Sequence, residues 1–332
     1  MAVCRLMRIL KISIECWGVE VKKKTVEYGR YGIVFLIPFF LVFAIFQLYP
    51  LLYTIADSFV YSAKNGRQVV ETVGLGNYTN YIFGAAGNGE IWQALIITIV
   101  MWLLNFIPQI LLSLLLAAWF TDSQRKLKAS GAYKAIVYLP NVITAATIAV
   151  LYFNMFDTHG PITSFLLKMN IIKSDGLLYS GWFSLVLIAF IQFWMWYGNT
   201  MVVLTAGILG INPSLYEAAC VDGATPRQQF FKITLPLLKP ILQYTLVTSA
   251  IGGLQLYDIP QLLNEGNPLV RVGENSVYST RTVVMLIKQY VANGSSQNFG
   301  RAAAYSVVLF VVTLAISMIF YIATSEKKSK AR

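Results

Sequence analysis

Histidine and cysteine are almost missing from this 332-residue sequence, and charge is scarce. The single histidine, His159, falls in a loop and reads as a solvated side chain, so no histidine-based triad or zinc site is on offer. Cys4, Cys16 and Cys220 match neither a metal spacing nor a disulfide framework and are expected to be free thiols on the cytosolic side. Charged residues make up 12% of the chain, against about 25% in soluble domains. No G-x-x-x-x-G-K-[ST] run occurs, so this chain is not expected to hydrolyse ATP itself. Near the N-terminus no apolar run is long enough for a secretory signal, because Arg5, Arg8, Lys11 and Glu15 interrupt each one. Short-period repeats and low-complexity linkers are also missing.

What the chain has instead is apolar length. Hydrophobic residues are 57% of the total. Six uncharged apolar segments follow residue 31, and each is close to the length of about 20 residues that crosses a bilayer. Span one is placed at 32–56, span two within 91–121, and span three within 135–156. Span four lies within 178–211, span five at about 240–263 with Asp258 and Pro260 interrupting it, and span six at 302–325. Pro38, Pro108 and Pro140 fall inside spans or at their ends, where neighbouring helices can satisfy the freed carbonyls.

The charge that remains is sorted by loop. Of the 26 Lys and Arg, 18 lie in segments 1–31, 122–134, 212–239 and 326–332. Placing those four segments in the cytoplasm gives them the whole net charge of +11. That asymmetry is a topology signal, so the basic balance does not point to nucleic acid. Residues 1–30 carry Leu6, Ile9, Leu10, Ile14, Trp17 and Val21 on one helical side. They read as an amphipathic helix on the inner membrane surface, as a frayed basic tail, or as the product of a wrongly chosen upstream start codon.

The stretch 212–240 is a polar island between two apolar runs. Asn212 is placed to cap a helix with Pro213 at its first position, and Gly223 to end it in a left-handed conformation. A second helix starts at Thr225-Pro226, with Gln228 completing a capping box, and Pro236 is expected to limit it. The small pair Ala218-Ala219 would let another surface approach. Glu217 and Asp222 offer charge-assisted contacts.

In order, Glu217-Ala218-Ala219, Asp222-Gly223-Ala224, Phe230, Ile233, Leu235-Pro236 and Pro240 resemble the EAA loop of ABC importer permeases. Further residues are similar to the carbohydrate-uptake group of that family and to its MalF-like half. They are span one, Gly74-Leu75-Gly76-Asn77-Tyr78, Tyr138-Leu139-Pro140 and Asn298-Phe299-Gly300-Arg301-Ala302-Ala303-Ala304. Asn264-Glu265-Gly266-Asn267-Pro268 looks like the family's Gly-Gly-Pro motif with Asn267 replacing one glycine. The ending SEKKSKAR departs from the glycine-containing tail of the MalG-like half.

The resemblance implies an all-α integral membrane protein with six transmembrane helices, the type I ABC importer permease fold and a cytoplasmic coupling helix. Residues 1–30 would be a basic cytoplasmic segment, 31–325 the permease domain with its loop at 212–240, and 326–332 a cytoplasmic tail. In such a machine Glu217, Ala218, Ala219, Asp222, Gly223, Ala224, Phe230 and Pro236 would couple to the ATPase. The partners implied are a second, MalG-like permease, two ATP-binding subunits that hold ATP and Mg, an extracytoplasmic solute-binding protein and membrane lipid. The location implied is a bacterial or archaeal cytoplasmic membrane, with both termini inside.

A sugar path needs hydrogen-bonding groups and aromatic faces inside the membrane. Intramembrane polar groups face the protein interior or a cavity. Gln192, Trp194, Trp196, Tyr197, Asn199 and Thr200 in span four are candidates, with Ser249, Gly252, Gly253, Gln255 and Tyr257 in span five. Asn105 and Gln109 in span two and Asn141 in span three join them. In the family, the equivalents of spans four and five line the sugar site. The alternative is that the aromatics form an interfacial belt and the amides bind helices together. Gly252-Gly253 also reads as a close-packing element. Three rival functions stay open: the same machine for another solute such as glycerol-phosphate, an ion-coupled secondary transporter, and a purely structural membrane scaffold.

Overall fold

The computed structural model describes residues 29–65, 68–84, 87, 89–121, 130–172, 176–272 and 275–324. Residues 1–28 and the tail 326–332 lie outside them, and so do the expectations placed there. The chain divides into two units, 1–52 and 53–332.

The first unit holds α1 (Gly29–Phe43) and a π-turn (Ala44–Leu48), which α2 (Tyr49–Asp57) continues. Phe35 is 81% exposed and Phe46 73%, and among the described side chains of α1, 32–43, none is buried. A helix that is apolar all round and uncovered is one whose solvent is lipid.

The second unit is built on long helices. α3 (Glu90–Thr121), α7 (Gly181–Leu209) and α14 (Ser296–Thr324) are each long and apolar enough to cross a membrane. Between α3 and α7 lie Met101, Ile188, Ile191, Met201, Leu204 and Ala117, all buried. Polar ties cross the same interface: Gln109 Nε2 donates to Thr200 Oγ1 at 2.7 Å and Ser113 Oγ to the Tyr197 carbonyl at 2.7 Å. Gly198 sits where a Cβ would stand 2.6 Å from the Val137 carbonyl oxygen, so only glycine admits the neighbouring helix there.

The third span is not the straight helix expected. α4 (Ser130–Val142) and α5 (Ala145–Phe156) form a bent pair with α6 (Pro161–Lys168), turning by 83° at the break. Pro140 removes one helical N–H just before the break. Thr144 then restarts the chain as a cap, its Oγ1 accepting from Thr147 N at 3.3 Å. Pro38 and Pro108 do lie inside helices, as anticipated.

Span five also breaks, and earlier than expected. α11 (Lys239–Leu254) ends before Gln255, and α12 (Asp258–Asn264) follows after residues 255–257. At 16 residues, α11 alone is shorter than a membrane span. Pro260 is accommodated inside α12, near its start, where a missing N–H costs little.

Two antiparallel hairpins decorate the helices: β1 (Val60–Asn65) with β2 (Gln68–Val73), and β3 (Leu269–Val272) with β4 (Asn275–Tyr278). Between β4 and α14 lies the short α13 (Val283–Ala292), tied at three points. Thr282 Oγ1 donates to the Leu256 carbonyl at 2.7 Å, Val283 N to Thr98 Oγ1 at 3.2 Å, and Tyr290 Oη to Glu90 at 2.7 Å. Glu90 also pairs with Arg301 at 3.4 Å. The Arg301 guanidinium lies 4.3 Å from the Tyr290 ring centroid and 4.4 Å from that of Tyr81. Burial, and next the bond to Glu90, push the Tyr290 hydroxyl well above the usual tyrosine range.

Candidate functional site

α3, α7 and α11 leave a cavity of about 390 Å³ between them, reaching up to α12. Its wall includes Gln192, Trp196, Asn199, Ser249, Gly252, Gly253 and Gln255. Asn105, Gln109, Thr200, Tyr257 and Asp258 complete the polar part with Tyr244, Thr245 and Thr248. The helix period explains the collection. Tyr244, Thr248 and Gly252 recur every four residues on α11, and Thr245 and Ser249 lie beside them. That polar and small stripe was visible in the sequence, and Tyr244, Thr245 and Thr248 were overlooked there. Trp102 was overlooked too, and no local signal marks it.

Trp102 organises one side of the wall. Its indole N–H donates to Ser249 Oγ at 3.0 Å. A Cβ at Gly253 would stand 2.0 Å from its ring, whereas one at Gly252 would meet nothing within 4 Å. Of the expected glycine pair, then, Gly253 is the close-packing member and Gly252 opens on free space. Several wall groups are already engaged: Asn105 Nδ2 donates to the Met101 carbonyl at 3.1 Å, and Thr245 Oγ1 to the Ile241 carbonyl at 2.8 Å. Among the described residues, the side-chain amides of Gln192, Asn199 and Gln255 have no hydrogen-bond partner.

Two expected path residues are not brought to this wall. Asn141 donates from Nδ2 to the Met195 carbonyl at 3.3 Å, which ties α4 to α7. Trp194 packs against the core, its ring edge-on to Tyr152 with centroids 6.3 Å apart. Trp196, two residues on, points the other way and is half exposed.

The polar island folds as two capped helices. α8 (Pro213–Val221) starts with Asn212 Oδ1 accepting from Ser214 N at 3.1 Å, and Gly223 follows its end at φ +72°. α9 (Pro226–Gln229) starts with the full Thr225–Gln228 capping box. Pro236 does not end this second helix. A π-turn (Phe230–Thr234) carries it into α10 (Leu235–Leu237), with Leu235 N bonded to the Phe230 carbonyl. The wider turn falls where proline has no N–H to give, so the helical path continues through it.

The two loop helices brace each other. Tyr216 Oη and Thr234 Oγ1 are 2.9 Å apart, and Gln229 Nε2 donates to the Ala224 carbonyl at 3.2 Å. Ala219 faces inward and is buried. Glu217, Ala218, Asp222, Gly223 and Pro236 are exposed, and Ala224 and Phe230 are half-buried. Val221 is 89% exposed, with Leu215 and Phe231 also uncovered, an unusual display of apolar surface on a polar loop. Cys220 is an exposed free thiol. Among the described residues no group of His, Cys, Asp or Glu is arranged to hold a metal.

Residues 109–329 match the family of binding-protein-dependent transport system inner membrane components. The chain is 30% identical to the lactose transport system permease protein LacF of Rhizobium radiobacter, across 91% of this chain and 96% of that one. It is 31% identical to the arabinooligosaccharides transport system permease protein AraP of Bacillus subtilis (strain 168), across 86% and 85%. A bacterial ABC transporter involved in the import of the acidic polysaccharide alginate includes a chain of the same fold. That chain superposes with a TM-score of 0.71 at 22% identity, over 90% of this chain and 96% of the other. This chain therefore belongs to the binding-protein-dependent transport system inner membrane component family, as a multi-pass membrane permease subunit of an ABC importer.

Proposed function

We propose that the permease imports a carbohydrate and that the cavity between α3, α7 and α11 is its share of the sugar path. The observation that carries this reading is the wall itself. The unpaired amides of Gln192, Asn199 and Gln255 share it with the rings of Trp102, Trp196, Tyr244 and Tyr257. Amides match the donor and acceptor pairs of a sugar ring, and aromatic faces match its C–H surface. The relatives named for lactose and arabino-oligosaccharide transport support the same class.

In this reading the chain has six spans. α4 to α6 form the third, and α11 with α12 the fifth. The charge asymmetry supports cytoplasmic termini and a cytoplasmic 212–240 loop. α8 docks on one of two ATP-binding subunits, which bind ATP and Mg; a second, MalG-like permease completes the path, and a solute-binding protein delivers sugar from outside. The chain itself performs no chemistry. ATP-driven closure of the ATPases moves the braced pair α8–α10 as a lever and opens the cavity outward. Uncovered Val221, Leu215 and Phe231 support a docking role.

The test is uptake of radiolabelled lactose and arabino-oligosaccharides into proteoliposomes holding the full complex, with ATP inside and the binding protein outside. Gln192→Ala and Trp196→Ala should each lower uptake several-fold while the complex still assembles. Uptake of glycerol-phosphate and of no sugar would replace the substrate class. Uptake without ATP would replace the machine by an ion-coupled one.

A further inference from the structure

The charge of the cavity wall separates two kinds of cargo. Among the described residues lining it, Asp258 carries the only formal charge. It stands at the first turn of α12, exposed, at the upper rim. α11 also ends at that rim. Its last carbonyls carry the negative end of a helix dipole toward residues 255–257. The break spends one nearby carbonyl, that of Leu256, on Thr282. Among the described residues, Lys288 on α13 stands beside the rim. It is not in the lining, and its ammonium is occupied with the Tyr257 hydroxyl and stands 4.4 Å from that ring's centroid.

We propose that the cavity admits only uncharged, hydroxyl-rich solutes and that Asp258 is the specificity-determining residue that turns anions away. This rests on the carbohydrate-importer reading and narrows it. A phosphate or a uronate needs a guanidinium or ammonium where it loses water, because an unpaired buried anion is heavily penalised. The wall supplies amides, hydroxyls and rings, and the one formal charge in the lining is the Asp258 carboxylate, which the N-terminus of α12 and Lys288 outside the lining offset only in part. A neutral sugar brings hydroxyls that donate to the Asp258 carboxylate and to the amide oxygens, and it meets no such penalty. Opposite preferences inside one fold then need no change of architecture, only of the charges on this wall.

The experiment uses the assembled complex in nanodiscs and reads binding as quenching of tryptophan fluorescence, with Trp196→Phe as the reference for the cavity signal. Probes are lactose, an arabinotriose and maltotriose on one side, and glycerol 3-phosphate and a trigalacturonate on the other. The neutral set should contain a binder, and the anions should bind at least about thirtyfold more weakly than it. Asp258→Asn, and Asp258→Ser as a second variant, should narrow that gap by about tenfold, the effect of one unit charge at short range. Raising salt should narrow it in the wild-type complex and not in either variant, since screening acts on the same charge. Equal binding of sugar and anion by the wild type, or a gap that neither variant nor salt changes, would overturn the proposal. Quenching by no neutral probe would instead sink the carbohydrate reading beneath it.

Discussion

Trp102 and Gly253 fit together so closely that the addition of one carbon at the glycine would put it 2.0 Å from the indole. The same ring is held by its N–H bond to Ser249, four residues earlier on α11. The contact fixes α3 against α11 at the wall of the cavity. Gly253→Ala should therefore cost about 1–3 kcal/mol through overpacking. Gly252→Ala, with nothing within 4 Å, should be neutral or stabilise by up to about 1 kcal/mol, as alanine favours helix over glycine. Thermal unfolding of the two variants in detergent checks this. A similar loss of melting temperature in both would show that Trp102 is not seated there.

Gly223 gives a cleaner case of conformation without contact. It lies at φ +72° and has nothing within 4 Å of its missing side chain. A substitution there meets backbone strain alone, of about 1–3 kcal/mol for a residue that avoids the left-handed region. Gly223→Val should abolish stimulation of the ATPase by loaded binding protein while membrane insertion stays normal. Gly223→Asn should retain most of the stimulation, because asparagine tolerates this region. The ATPase rate in proteoliposomes decides, and equal activity of the two variants removes the strain argument.

Glu217 stands exposed on the same helix, one turn from exposed Val221. In the docking reading, Glu217→Lys reverses a charge at an interface where losing a buried pair costs about 2–5 kcal/mol. The ATP-binding subunits should co-purify in much lower yield from that variant. Full retention would move the docking surface elsewhere.

At the opposite end of the fold, Arg301 should not be replaceable by lysine. Its flat guanidinium is bracketed by the rings of Tyr81 and Tyr290 while it meets Glu90. An ammonium cannot stack in this way. Arg301→Lys and Arg301→Ala should both destabilise, by about 1–3 kcal/mol. Recovery of the full melting temperature by lysine would mean that charge alone matters.

Orientation is tested by chemistry from the two sides. In a background without cysteine, Val221→Cys should react with an impermeant maleimide only from the cytoplasm and Val73→Cys only from outside. Both positions are more than four-fifths exposed, at 89% and 85%. Labelling of Val221→Cys from outside would invert the topology.

Some of this was readable because its causes are local. Asn212, Gly223 and the Thr225–Gln228 pair act within a turn of their own positions, and each behaves as its type dictates. The long spans follow from composition. The break at 143–144 was hidden, since Ile143 and Thr144 carry no stop signal and a proline such as Pro140 also occurs in unbroken spans; the break at 255–257 falls just ahead of the interruption expected at Asp258 and Pro260. The wall of the cavity was half legible. Polar side chains in a span must face inward, but Trp194 and Trp196 differ only in which neighbour they meet, and α7 carries apolar residues on every side. The Trp102–Gly253 contact joins positions about 150 residues apart in sequence, and no pattern in either helix names the other.

Both breaks open on the same cavity: Ala145 just after the first, and Gln255, Leu256 and Tyr257 in the second, all belong to its wall. At a break the i to i−4 bonds have already been given up. A half-span can then swing by torsion alone, leaving every remaining bond of its helix intact. In an intact span the same swing would strip backbone groups of their partners in hydrocarbon, at several kcal/mol each. The discontinuities thus set where this protein is soft. In the proposed reading its pivots sit beside the cargo, and the long helices α3, α7 and α14 can stay rigid through a transport cycle.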